Sequence, residues 1–166
     1  MWEEVGKNGK KWERGSALLR GFNPINIDEK GRLAVPTRYR AELRECCDQQ
    51  LVLTVSPDKC LLLYPLPEWE EIERKLSKLS SLDKRAKRLQ RLLIGHATEC
   101  EMDAQGRVLI AEPLRNFAGL EKRVVLVGQG NKFEIWDEDI WNRSRDEWLA
   151  EESMDELSPE LSALCF

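Results

Sequence analysis

The sequence repeats itself, and that constrains its fold more than any other feature. Ile25-Asn26-Ile27-Asp28-Glu29-Lys30-Gly31-Arg32-Leu33-Ala34-Val35-Pro36 is echoed by Cys100-Glu101-Met102-Asp103-Ala104-Gln105-Gly106-Arg107-Val108-Leu109-Ile110-Ala111. Asp, Gly and Arg recur in register 75 positions apart, from Asp28 to Asp103, and Arg40 and Arg115 keep the same offset. The flanking apolar positions also match: Ile27 with Met102, Leu33 with Val108, Val35 with Ile110. Gln50–Val55 corresponds to Arg123–Val127, Lys59–Tyr64 to Lys132–Trp136, and Trp69 to Trp141. A repeat this long fixes the architecture before any local reading begins.

Each half therefore carries the same order: strand, D-x-x-G-R turn, strand, short helix, hairpin, helix. An Asp heading a tight turn accepts backbone N–H groups two residues on, and Gly supplies a positive φ. Ser56-Pro57-Asp58 and Gly128-Gln129-Gly130-Asn131 separate apolar runs and predict hairpins. Pro36 and Pro113 predict short helices around Thr37–Leu43 and Leu114–Ala118. Trp69, Ile72, Leu76, Leu79 and Leu82 follow helical spacing, as do Ala86, Leu89 and Leu93, and a break at Ser80-Ser81 predicts helices over about 68–79 and 82–95. A half of this size leaves much apolar surface uncovered when alone. The expected fold is α+β, a pseudo-two-fold small β-barrel shared by the halves, with peripheral helices.

Charge is strongly segregated. The totals, 26 Lys+Arg against 30 Asp+Glu, give a net charge of −4, which excludes a uniformly basic nucleic-acid binder but not a locally basic one. Arg74–Arg91 holds eight basic residues and one acid, Asp83, whereas Asp137–Phe166 holds ten acids and two bases. The basic stretch reads as a solvated helix face or a surface for an acidic neighbour. Glu147–Glu160 reads as a weakly ordered tail.

The five cysteines (Cys46, Cys47, Cys60, Cys100, Cys165) form no C-x-x-C pair, and Met1–Gly15 carries no apolar export signal. They read as reduced thiols of a cytoplasmic protein. His96 is the single histidine. With Cys100 four positions on it offers two ligands on one helix face, too few for a metal site. No cofactor, metal or membrane span is expected. Catalysis finds little support: Asp28 and Asp103 are each followed by an arginine that would hold the carboxylate ionised.

Lys30, Arg32, Arg38 and Arg40 cluster at the first turn. Arg32 bridging to Asp28 is a purely structural reading of the arginine. Its duplication as Arg107 favours a second reading, in which two symmetry-related arginines on one rim meet guanine edges in a major groove. Arg38, Arg40 and Arg115 would then hold phosphates.

Asn26–Arg40, Leu61–Trp69 and Arg91–Ala97, with Asp103–Arg107 and Gln129–Asp137, closely resemble the MraZ family. The resemblance covers about Arg20 to Trp148. It implies tandem AbrB/MazE-like swapped-hairpin repeats. It further implies a cytoplasmic, nucleoid-associated transcriptional regulator, mainly a repressor, of the division and cell-wall gene cluster. Such proteins form ring oligomers and bind short G-rich direct repeats of double-stranded DNA in their own promoter. By position, the contacting turns carry over to Asp28, Lys30, Arg32, Asp103 and Arg107, with Arg38, Arg40 and Arg115 the phosphate candidates beside them and Asp28, Gly31, Asp103 and Gly106 structuring the turns. Gln105 replaces the lysine in the second turn, which makes Arg32 the stronger candidate. The expected division is an extension at 1–18, repeat 1 at 19–66, a helical connection at 67–97, repeat 2 at 98–141, and a C-terminal helix and acidic tail at 142–166. The extension reads as a misassigned start ahead of Leu19, or as a basic arm. The alternative function is an antitoxin-like protein-binding module using the acidic end.

Overall fold

The computed structural model describes residues 4–5, 11–12, 18–151 and 158–164. Most of the proposed 1–18 extension, and residues 152–157 and 165–166 of the tail with Cys165, lie outside the described residues. A two-stranded ribbon of β1 (Glu4–Val5) and β2 (Lys11–Trp12) precedes the main body.

The body is built on β3 (Leu19–Asn26), β4 (Arg32–Ala34), α1 (Thr37–Cys47), β5 (Gln50–Val55), β6 (Leu61–Pro65) and α2 (Leu66–Ser77). α3 (Lys84–Leu93) follows as the connection. The second half repeats the series as β7 (Thr98–Glu101), β8 (Arg107–Leu109), α4 (Glu112–Phe117), β9 (Arg123–Gly130), β10 (Phe133–Asp137) and α5 (Glu138–Glu151), with a short α6 (Pro159–Ser162) beyond.

Each half folds its expected hairpin, β5–β6 and β9–β10, and the two hairpins join through β6 and β10, with Leu63 opposite Phe133 and Leu61 opposite Ile135. The leading strands cross over. β3 of the first half pairs with β9 of the second over its whole length, and β7 of the second half pairs with β5 of the first. The result is a six-stranded antiparallel sheet in the order β3-β9-β10-β6-β5-β7.

Both faces of this sheet are covered, so its central strands read as continuous apolar runs rather than alternating ones. Leu51, Leu53, Leu61, Leu63, Val124, Leu126, Phe133 and Ile135 face one core, closed by Leu33, Val35, Val108 and Ile110 with Tyr39 and Leu43 of α1 and Leu114 of α4. Val52, Leu62, Tyr64, Val125 and Trp136 face a second core, under Leu66 and Trp69 of α2. Glu134 belongs to this second face and is buried; its Oε2 accepts hydrogen bonds from Trp136 Nε1 at 2.8 Å and Cys60 Sγ at 3.3 Å.

The helices differ from expectation at their ends. α1 runs on to Cys47, where Asp48 adopts a left-handed conformation (φ 51°) and stops it. α3 starts at Lys84 because the carboxylate of Asp83 accepts the N–H of Arg85 at 2.8 Å. The C-terminal helix runs through Glu151, with Trp141 and Trp148 packed edge-on to each other and to Trp136, and residues 152–157 of the acidic tail lie outside the described residues. No helix among the described residues is long and apolar enough to cross a membrane.

Phe133 sits on the strand that joins the two hairpins, is 1% exposed, and meets the Tyr39 ring at 4.9 Å. Phe133→Ala is expected to cost about 3–5 kcal/mol, read as a lowered midpoint in urea unfolding, with both halves lost in a single transition.

Candidate nucleic-acid interface

The two D-x-x-G-R turns are built alike. Asp28 Oδ1 accepts the N–H groups of Lys30 and Arg32, both at 2.9 Å, and Asp103 Oδ1 accepts those of Gln105 at 2.9 Å and Arg107 at 2.8 Å. Gly31 and Gly106 take φ values of 82° and 76°, which L side chains rarely adopt. In each turn the Asp carbonyl accepts the glycine N–H, at 3.0 and 2.9 Å.

The strands that leave the turns do not form simple hairpins with the strands that enter them; a single bridge between Ile27 and Leu33 is all that remains of that pairing in the first turn. They pair with each other instead. β4 and β8 form an antiparallel ribbon in which Arg32 lies opposite Leu109, Leu33 opposite Val108, and Ala34 opposite Arg107. Alternation then sorts the side chains. Leu33 and Val108 are buried in the first core, while Arg32, Ala34, Arg107 and Leu109 occupy the outer face. Arg32 and Arg107 are thus diagonal neighbours, about 7–8 Å apart between backbones.

The bridging reading of the arginines is correct as far as it goes. Arg32 Nε donates to Asp28 Oδ2 at 2.8 Å and Arg107 Nε donates to Asp103 Oδ2 at 2.9 Å. Both pairs are part-exposed, with side-chain accessibilities between 28% and 37%, so solvent screens them. The bridge uses the Nε edge of each guanidinium and fixes its direction. The turns differ in one respect: Arg107 Nη2 also donates to Gln105 Oε1 at 2.8 Å, while in the first turn the corresponding residue is the exposed Lys30. The first turn therefore presents more unspent positive charge.

The remaining candidates are engaged with the framework. Arg38 Nη2 donates to Asn23 Oδ1, and its guanidinium lies 4.7 Å from the centre of the Tyr39 ring. Tyr39 in turn donates to the Arg20 carbonyl at 2.6 Å. Arg40 Nε donates to the Val35 carbonyl at 2.8 Å, and its side chain crosses Gly106 so closely that a Cβ there would sit 2.1 Å from Nε. Arg115 does the same at the first turn, where a Cβ on Gly31 would come within 2.8 Å of its guanidinium carbon. Each turn is thus clasped by an arginine from the other half. Arg115 Nε is buried without a hydrogen-bond partner among the described residues, beside a groove of about 510 Å³ that Asp28, Glu29 and Lys122 also line.

Sequence reasoning did not anticipate this crossing or the β4–β8 ribbon. One signal was available: Arg-Leu-Ala and Arg-Val-Leu each alternate polar and apolar, which sends Arg out when the middle residue goes in. His96 and Cys100 do not share a helix face. α3 has ended before His96, whose Nδ1 lies 2.9 Å from the Leu92 carbonyl, and Cys100 stands on β7, where burial pushes its thiol up to about 12. Among the described residues no group of three or more His, Cys, Asp or Glu could hold a metal. Asp28 and Asp103 do not form a carboxylate pair, since each is committed to its own turn and arginine.

A duplicated α+β protein whose halves interlock, with a twin-arginine ribbon on its surface, is the class these features define. The profile of the family described as "MraZ protein, putative antitoxin-like" matches residues 18–92 and again 93–161. The chain belongs to the MraZ family. It is 66% identical to a protein named transcriptional regulator MraZ from Methylococcus capsulatus, over 90% of this chain and all of that one. The same name is carried by relatives from Thioalkalivibrio sulfidiphilus, 61% identical over 81% of this chain and 90% of theirs, and Halorhodospira halophila, 55% identical over 89% and 99%.

Hydrogen bonds hold the Asp28 and Asp103 carboxyls below the ordinary value of 3.8, chiefly those from the Arg32 and Arg107 backbone N–H groups. A carboxylate with a depressed folded-state pKa stabilises the fold above its unfolded value, and that contribution is lost as pH falls through the folded one. The two turns should therefore stay ordered as pH is lowered to about 4 and loosen below it. NMR titration of the Asp28 and Asp103 side-chain carboxyls should give midpoints under 3.8, with Asp28 moving upward in Arg32→Ala.

Proposed function

We propose that this chain is a transcriptional regulator that binds double-stranded DNA by laying the β4–β8 ribbon against a major groove. The observation that carries the reading is the diagonal placement of Arg32 and Arg107 on the outer face of a two-stranded antiparallel ribbon. A major groove admits a ribbon of this kind, and arginine is the residue that meets guanine O6 and N7 with two hydrogen bonds. The Asp bridge aims each guanidinium through its Nε and leaves the terminal amines of Arg32 for the base, whereas Arg107 Nη2 is shared with Gln105. Lys30 supplies positive charge toward the phosphates beside the first turn. Arg38, Arg40 and Arg115 act mainly as supports, with phosphate contact secondary.

The crossing of leading strands and the clasping arginines support tandem AbrB-like swapped-hairpin repeats closed into a small pseudo-two-fold barrel. The naming of the relatives as transcriptional regulators supports the biological setting. Under this reading the protein acts mainly as a repressor on G-rich direct repeats ahead of its own gene in the division and cell-wall cluster. It works in the cytoplasm, at the nucleoid. A single ribbon offers few base contacts, so one chain binds one short repeat weakly. A ring of copies facing evenly spaced repeats gains affinity through effective concentration, with no new contact. The net charge of −4 restrains binding to unrelated DNA.

Titration of the chain's own upstream DNA tests this. Arg32→Ala should lose specific affinity by about 1–3 kcal/mol per repeat, roughly tenfold to a hundredfold, with its melting temperature close to that of the wild type. Arg107→Ala should lose less, because Gln105 already occupies part of its guanidinium. Wild-type affinity in Arg32→Ala would remove the assigned role.

A further inference from the structure

The basic helix takes no part in the ribbon. α3 carries Lys84, Arg85, Lys87, Arg88 and Arg91 with no acid inside its bounds, and all five are exposed. None of the five forms an ion pair among the described residues. Apolar side chains stand among these charges: Leu82 is 92% exposed, and Leu79 and Leu89 are exposed too. Apolar surface rimmed by charge is the composition of a docking face.

The opposite composition occurs at the other end of the chain. From Asp146 to Phe166 there are seven acids and no base. Trp148, Leu149, Leu161 and Leu164 are exposed there. The two surfaces complement each other in charge and in apolar content.

Their places in the fold decide how they meet. α5 packs over β9 and β10, α2 over β5 and β6, and α3 against α2 and β5. Given the strand order, α5 and α3 occupy opposite flanks of one helical layer, with α2 between them. A flank of one sign on one side and of the other sign on the far side is the arrangement for head-to-tail contact between copies, which closes into a ring when the rotation allows.

We infer that the basic face of α3 binds the acidic C-terminal segment, Asp146 onward, of a second copy of this chain. The inference rests on the assembly part of the proposed function and gives that assembly its contact. The attraction is between exposed charges, so it weakens with salt, while the leucines and Trp148 provide the apolar part of the interface.

Two charge-reversed sets test it, with mass measured by light scattering in the absence of DNA. The first is Lys84→Glu with Arg88→Glu and Arg91→Glu; the second is Glu147→Lys with Glu151→Lys and Glu160→Lys. The wild type should be an assembly that dissociates as salt rises. Each set alone should fall to the single-chain mass with an unchanged circular dichroism spectrum and melting temperature, and an equimolar mixture of the two should reassemble. Arg32→Ala should keep the wild-type mass, so loss of DNA binding and loss of assembly are read separately. A wild type of single-chain mass, reversed sets that keep the wild-type mass, or a mixture that stays dissociated would each overturn the inference. So would a first set that assembles normally but loses affinity for duplex DNA, because the face would then belong to nucleic acid.

Discussion

Backbone hydrogen bonding across the two halves is the constraint on which everything else depends. A strand edge left open is costly when buried and hazardous when exposed. Here β9 is completed by β3 and β5 by β7, each from the other half, while β6 and β10 join the hairpins at the centre. Among the described residues, the short β4 and β8 form a two-stranded sheet of their own, apart from the six-stranded one. Neither half closes its own edges, so the pair folds as one unit, and the surface ribbon exists only because both halves are present.

The ribbon in turn sets the chemistry. Leu33 and Val108 must point into the core, and strand alternation then leaves Arg32 and Arg107 no choice but the outer face. Two guanidiniums placed diagonally repel, and each is offset by its own aspartate. That pairing gives each arginine a structural role in its own turn. The Nε edge of each guanidinium is committed to its turn, and the bridge sets the direction of the far edge. Gln105 against Lys30 then makes unequal partners of two otherwise matched turns.

Much of this was legible in the sequence because the repeat is in register. Paired Asp, Gly and Arg positions gave the turns, apolar runs broken by Ser56-Pro57-Asp58 and Gly128–Asn131 gave the hairpins, and spacing from Trp69 onward gave the helices. Helix ends were less legible, since they depend on single caps such as Asp83 and on the left-handed conformation at Asp48. Which strands partner across the two halves was not legible in the residue pattern. A three-residue strand such as Arg32–Ala34 carries an alternation but no information on whether its neighbour lies ahead of the turn or in the other half. The same gap hid Arg40 and Arg115: their register with each other was visible, but their reach across the molecule to Gly106 and Gly31 was not.

That reach has an evolutionary consequence. Duplication usually frees one copy to drift while the other keeps the original task. In this molecule, each loop's shape is enforced by a side chain encoded in the opposite copy, so a change at Arg40 is felt at the second loop and a change at Arg115 at the first. The two copies are therefore expected to accept substitutions jointly. Altering the preference of one loop would call for compensating changes in the sister repeat, and a lineage could not retune either without renegotiating both.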